Sequence, residues 1–249
     1  MTKRNWLVAT ISEEAPRLAR EYGVELEIDE FCTAMNMDTD FEHWNNVVLD
    51  HMKYARASVF HAPFAELHPC AVDPLVRAVA MKRFSQAADL ARSYGIRRMV
   101  AHGGFIPNVY FPIWYEERSG QFWKEFLSTQ PADFEIMIEN VLEDDPESMA
   151  RMIDSVGDER AGICLDVGHA HVVSPVPVEE WISVLGSRIR HVHLHNNYDE
   201  HDTHNPPFEG SIDMNRVMAL LDEHAPEASI TLECLRLDPD VLSVCNTGI

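Results

Sequence analysis

Residues 191–210, HVHLHNNYDEHDTHNPPFEG, are the part of the chain best equipped for chemistry. His191, His193 and His195 alternate with Val192 and Leu194. In an extended strand, side chains alternate faces, so the three imidazoles share one face and the aliphatics the other. Asp202-Thr203-His204 follows within the same segment. Imidazole and carboxylate together suit zinc, manganese, iron or cobalt. Other apolar runs end on residues of the same types. SVFH ends in His61, MVAH in His102, IMIE in Glu139, ICLD in Asp166 with His169 three residues on, and TLE in Glu233. A carboxylate at such a place is costly unless paired. The recurrence of this ending therefore points to a shared metal site.

A common site requires elements that bring these run ends together. Strand-like runs cover Trp6–Ile11, Val24–Cys32, Ala57–Ala62, Arg98–His102, Phe134–Val141, Gly162–Val167, Ile189–His195 and Ser229–Leu235. Amphipathic segments lie between them: Ser12–Tyr22, opened by Ser12 as N-cap, then Phe41–Ala55, Asp73–Tyr94, Trp123–Ser128, Asp145–Ser155, Val178–Leu185 and Asp213–Glu223. Alternating strands and helices imply a parallel sheet. Eight such units predict one (β/α)8 TIM barrel over residues 1–249, with the metal site at the C-terminal mouth of the strands. A doubly wound open sheet is the rival arrangement.

Composition narrows the setting. The formal charge of −21 disfavours contact with a phosphate backbone, so a nucleic-acid partner is not expected. No apolar run reaches the length of a membrane span, and the N-terminal apolar run is too short for a signal peptide. The 5 cysteines have no CxxC spacing, which fits a reducing cytoplasm. Cys164 and Cys234 sit within strands and read as small core residues.

The pieces FHAPF, VAHGG, IENV, CLDVGHAH, HVHLHNN, DTHNPPFEGSID and TLEC, in this order, resemble the xylose isomerase-like barrel superfamily. That superfamily holds the sugar-phosphate isomerases and epimerases and the endonuclease IV-like AP endonuclease family 2. The resemblance implies a metal held by Glu139, Asp166, His193 and Glu233. It implies further ions in the endonuclease branch, one at His61 and His102 with Glu139 as bridge, another at His169, Asp202 and His204. One to three divalent ions are thus expected, zinc or manganese first, with magnesium, cobalt or iron also compatible. Of the aligned histidines only His193 is expected to bind metal, with His191 deeper in the barrel and His195 nearer the mouth. The chain departs from the epimerases in having His195-Asn196-Asn197 where an aspartate is usual, and no substrate-binding arginine near position 199. Homodimers and homotetramers are common in the superfamily.

Two reactions follow from the resemblance. In a sugar isomerase or epimerase of carbohydrate metabolism, Glu139 and Glu233 exchange a proton with an open-chain sugar through an enediolate, and His169 holds a hydroxyl. In a multi-zinc phosphoesterase, the ions activate water against a phosphate ester, a small one rather than DNA. The scarcity of basic residues at the expected mouth favours the isomerase and a neutral sugar or polyol. Phe64, Phe105 and Trp114 are expected to contact the substrate, the latter two from an aromatic segment after His102 that reads either as a buried anchor or oligomer contact or as a lid. Glu143-Asp144-Asp145 read as a solvated loop leading into a helix.

Overall fold

The computed structural model describes residues 4–247. Eight parallel strands close into a barrel in sequential order: β1 (Trp6–Ala9), β2 (Glu25–Ile28), β3 (Ala57–His61), β4 (Arg98–His102), β5 (Glu135–Glu139), β6 (Ala161–Asp166), β7 (Ile189–Leu194) and β8 (Ser229–Leu232). β1 pairs with both β2 and β8, which excludes the open sheet. The strands are shorter than the apolar runs. Asp29, Glu30 and Cys32, with Thr10 and Ile11, for example, leave the sheet and line the mouth instead.

Alternation along each strand divides the chain's apolar residues. Outward positions such as Val8, Leu26, Met99, Ile136, Ile163, Val192 and Ile230 join one large core with the helices. Inward, Leu7, Val59, Val100, Met137 and Cys164 form a small apolar plug. Two residues further along β3, β4, β5 and β6 come His61, His102, Glu139 and Asp166. The plug thus closes the barrel just beneath the polar ends, and the period of 2 aims those ends at the mouth.

The helices are α1 (Ala15–Tyr22), α2 (Ala34–Asp38), α3 (Phe41–His51), α4 (Pro74–Ser93), α5 (Pro112–Ser128), α6 (Pro146–Val156), α7 (Val167–Val173), α8 (Val178–Leu185), α9 (Met214–His224) and α10 (Pro239–Thr247). Ser12 is not the N-cap of α1, which starts three residues later behind Glu14. The aromatic segment is not a lid. Pro112 starts α5 in its first turn, where a missing N–H costs nothing, and the helix buries Tyr115, Phe122 and Trp123 in the core. Asp145 caps α6 through Glu147 N and Ser148 N. Glu143 is buried rather than solvated, accepting from the backbone N–H groups of Phe105, Val141 and Leu142. Among the described residues no helix is long and apolar enough to cross a membrane.

Candidate metal centre

Glu139 ends β5, Asp166 ends β6, His193 stands inside β7 and Glu233 directly follows β8. One ligand atom from each lies within 4.8 Å of the others. His193 Nδ1 is 3.1 Å from Glu233 Oε2, 3.4 Å from Glu139 Oε1 and 3.8 Å from Asp166 Oδ2. Both His193 Nδ1 and Glu233 Oε2 are buried without a hydrogen-bond partner. Carboxylates this close repel by roughly 3–4 kcal/mol per pair at an effective dielectric near 20. Orphaned donor atoms and converging negative charge are what a divalent cation would relieve, and the N/O donor set fits zinc or manganese.

Two further groups adjoin this quartet. His61 Nε2 and His102 Nε2 approach Glu139 Oε2 at 3.2 and 3.4 Å. His169 Nε2 and His204 Nε2 approach Asp202 Oδ2 at 3.1 and 2.9 Å. The other oxygen of Glu139, Oε1, faces His193 and His169 Nδ1, the latter at 3.3 Å. One carboxylate therefore addresses two groups with separate oxygens.

The imidazoles share a habit. His61 Nδ1 bonds Ala62 O, His169 Nδ1 bonds Asn140 O, and His204 Nδ1 bonds Glu233 O, all at 2.9–3.0 Å. His193 Nε2 bonds Glu27 Oε1 at 3.0 Å. In His61, His193 and His204 one nitrogen donates outward and leaves the other facing the centre, as metal-ligating histidines do, whereas His169 Nδ1 lies near both Asn140 O and Glu139 Oε1 and leaves Nε2 to Asp202. His195 is not in the quartet: its Nε2 bonds both oxygens of Asp166 at 3.1 Å and its ring stacks on His204. His191 lies beneath, as its place on the strand predicts.

Charge is shared across the centre. Burial opposes the charged imidazole of His61 and His204, yet Glu139 and Asp202 respectively raise them to about 9. Burial lowers His102 to about 3. Asp166 resists burial through His169 and His195 and falls to about 2.

Asp202 and His204 reach the site on a loop that Asn196 builds. Asn196 and Asn205 exchange two backbone hydrogen bonds of 2.9 Å, closing the segment between them. The Asn196 amide donates to Pro207 O and Ile212 O at 2.7 and 3.2 Å and accepts from Asn197 N and Ile212 N at 2.9 and 3.1 Å. Asn197 donates to Gly168 O and meets His171 Nδ1. The two asparagines thus shape the loop rather than orient His193.

Residues 12–240 match the family model described as xylose isomerase-like TIM barrel. The chain belongs to this family. Among relatives of this xylose isomerase-like barrel, the uncharacterized protein MJ1311 of Methanocaldococcus jannaschii is 28% identical over 73% of the chain and 65% of that protein. A probable endonuclease 4 of Mycobacterium leprae is 27% identical over 64% of the chain and 66% of that protein. The matches thus span just under two thirds of both relatives. In structure, a D-tagatose 3-epimerase-like protein superposes with a TM-score of 0.76 at 21% identity, covering 97% of this chain and 94% of the other. The TTHB071 protein of Thermus thermophilus, soaked with zinc chloride, gives 0.75 at 22% identity over 97% and 98%. At these identities the likeness establishes the fold.

Above the centre the barrel opens into a cavity of about 800 Å³. Glu139, His169, Asp202, His204 and Glu233 form its floor with His61 and His102. Phe64 lines one wall, stacked on His102 with ring centroids 4.4 Å apart. Phe105 and Trp114 do not reach it. Phe105 is buried against Tyr115, and Trp114 packs on Phe111 at the start of α5. The adjoining wall carries Thr10, Asp29, Glu30, Trp44 and His51. The sequence marks Trp44 and His51 only as part of a helical pattern, and none of these residues, nor Glu27, as part of the site. The signal was present in β2, where Glu25, Glu27 and Asp29 fall at every second position. Among the described residues no lysine or arginine lines the cavity.

Proposed function

We propose that the protein is a metal-dependent hydrolase of small phosphate esters, working through a centre of more than one divalent ion. The observation that carries this reading is Glu139, whose two oxygens face separate groups of histidines, the arrangement of a carboxylate shared between ions. The quartet needs only four of the ligand-type residues; the geometry also collects His61, His102, His169, Asp202 and His204. The relatives named as probable endonuclease 4 accord with this order of preference, which reverses the one drawn from the sequence.

Bound there, such ions would lower the proton affinity of water and neutralise charge on phosphoryl oxygens. In the reaction a water molecule gives up a proton to solvent as its oxygen bonds to phosphorus, the bond from phosphorus to the ester oxygen breaks, and the departing oxygen takes a proton. Asp29 stands on the wall facing the centre, and burial, with Glu27 beside it, raises its proton affinity well above the usual carboxylate range. We assign it that proton delivery. Phe64 and Trp44 supply apolar walls for the alcohol portion. With acidic walls and no lysine or arginine among the described residues that line it, the cavity suits a neutral or cationic alcohol portion and disfavours a nucleic-acid strand.

The same lining favours a second reading, a sugar isomerase or epimerase in which Glu139 and Glu233 move the proton and a neutral polyol fills the cavity. Metal analysis with two assays separates them. Two or three ions per chain with release of p-nitrophenol from its phosphate esters supports the hydrolase. One ion, with hydrogen exchange into sugars in deuterated water and no ester cleavage, replaces it with the isomerase.

A further inference from the structure

Beneath the centre, the barrel interior holds a polar network to which the proposed chemistry assigns no part beyond the charge of Glu27 near Asp29. Glu27, on β2, is fully buried. Its Oε1 faces His193 Nε2 at 3.0 Å. Its Oε2 faces His191 Nε2 at 3.0 Å and receives the Thr231 hydroxyl at 2.5 Å. The protons along this network have one consistent order. Arg98 can only donate, and does so to Ser229 Oγ at 2.9 Å. The Ser229 hydroxyl meets His191 Nδ1 at 2.7 Å, closer than Arg190 O at 3.4 Å, so its proton goes to the ring. His191 Nδ1 then accepts, and its Nε2–H points to Glu27 and Thr231. Every donor in the network runs toward Glu27.

We infer that Glu27 is a positioning residue that fixes His193 as the Nε2–H tautomer and aims its Nδ1 lone pair at the metal quartet. The opposite tautomer fails on both sides. It would set a lone pair against Glu27 Oε1 and turn an N–H toward the place where the cation would sit. Thr231 and His191 hold the carboxylate by its second oxygen, so its first is not free to turn away. A carboxylate behind a metal-ligating imidazole typically changes metal affinity by about 10–100-fold. The inference rests on the metal quartet of the proposed function.

The test compares zinc affinity of the wild type, Glu27→Gln and Glu233→Gln by competition with a chromogenic chelator, alongside circular dichroism. An amide in place of Glu27 cannot accept from every side, so affinity is expected to fall about 10–100-fold. Long-range 15N spectra of the zinc-loaded wild type, assigned with His193→Gln, read the tautomer directly and survive any failure of Glu27→Gln to fold. The expected pattern is a protonated Nε2 and a zinc-shifted Nδ1. Zinc on Nε2, or a folded Glu27→Gln within twofold of wild type, overturns the role of Glu27. Equal zinc binding by wild type and Glu233→Gln removes the quartet itself, and the proposed function with it.

Discussion

Asn196 offers a perturbation that separates the loop-borne part of the centre from the strand-borne part. Its amide makes four hydrogen bonds at 2.7–3.2 Å, to Pro207 O, Ile212 O, Asn197 N and Ile212 N, and it is 1% exposed. Asn196→Ala removes all four at once and leaves buried backbone groups to find water. A typical bond contributes about 0.5–1.5 kcal/mol net, so the expected loss is roughly 2–4 kcal/mol once partial resolvation is allowed. For a chain of this size that is a fall in melting temperature of roughly 4–16 °C. The metal consequence is more specific. Asp202 and His204 stand between Asn196 and Asn205 and lose their frame, whereas Glu139, Asp166, His193 and Glu233 stand on or next to strands. Metal content after dialysis should therefore drop by one ion while the quartet keeps its own. Asn196→Asp is a sharper control, because it keeps the oxygen that accepts from Asn197 N and Ile212 N but turns a carboxylate oxygen toward two carbonyl oxygens. Full metal content and an unshifted melt in Asn196→Ala would falsify the claim that this side chain builds the loop.

Gly168→Ala should weaken metal binding and cost about 1–3 kcal/mol, because the added methyl would overlap the His195 ring that holds Asp166; urea melts and zinc competition read both effects. In the chelator-treated protein, the raised proton affinities of His61 and His204 give stability that is present below about pH 6.5, the unfolded value, and lost as pH rises through about 9. Denaturation midpoints at the two ends should show that decline, and a flat profile would count against the pairing. Phe64→Ala should raise KM for an ester substrate several-fold, whereas Trp114→Ala should leave kcat and KM within about twofold, since only the former lines the cavity; equal effects would refute the cavity as the binding site. Graded chelation should remove the ion at His169, Asp202 and His204 before that of the quartet, and the reverse order, followed by metal analysis, would overturn the charge argument given below.

The barrel was legible because strand and helix patterns alternate through the whole chain and each strand keeps its period of 2. The convergence of His61, His102, Glu139, Asp166 and Glu233 was legible for the same reason, since alternation converts the last residue of an apolar run into a side chain at the mouth. Loop chemistry was less so. Asn196 and Asn197 looked like a departure around His193, and their hydrogen bonds to residues up to 29 positions away carry no local mark. The segment 105–123 looked like an aromatic lid because its helical spacing was masked by Pro112 and Gly120; the buried rings face the core. Glu27 was missed for a different reason. A carboxylate between Leu26 and Ile28 reads as the solvent side of a strand, yet in a closed barrel that side is the interior.

That interior explains how one strand can serve three levels of the centre. On β7 and just beyond it, His191, His193 and His195 point the same way, and the acid at each level decides what each ring does. At the lowest, Glu27 accepts from His191. At the middle, His193 meets Glu139, Asp166 and Glu233, three carboxylates against one imidazole. At the top, His195 bonds Asp166, and Asp202 lies between His169 and His204, one carboxylate against two imidazoles. The middle level carries the largest excess of negative charge, whereas at the lowest the single charge of Glu27 faces a His191 that burial keeps neutral, lowered to about 4. The top group can neutralise itself as an ion pair, holding Asp202 well below its usual proton affinity, and an ion must displace that pairing to bind. Electrostatics alone therefore ranks the sites, with the quartet first and the Asp202 group last. Occupancy of the weaker group, on which the choice between hydrolase and isomerase turns, becomes a question of metal concentration as well as of sequence.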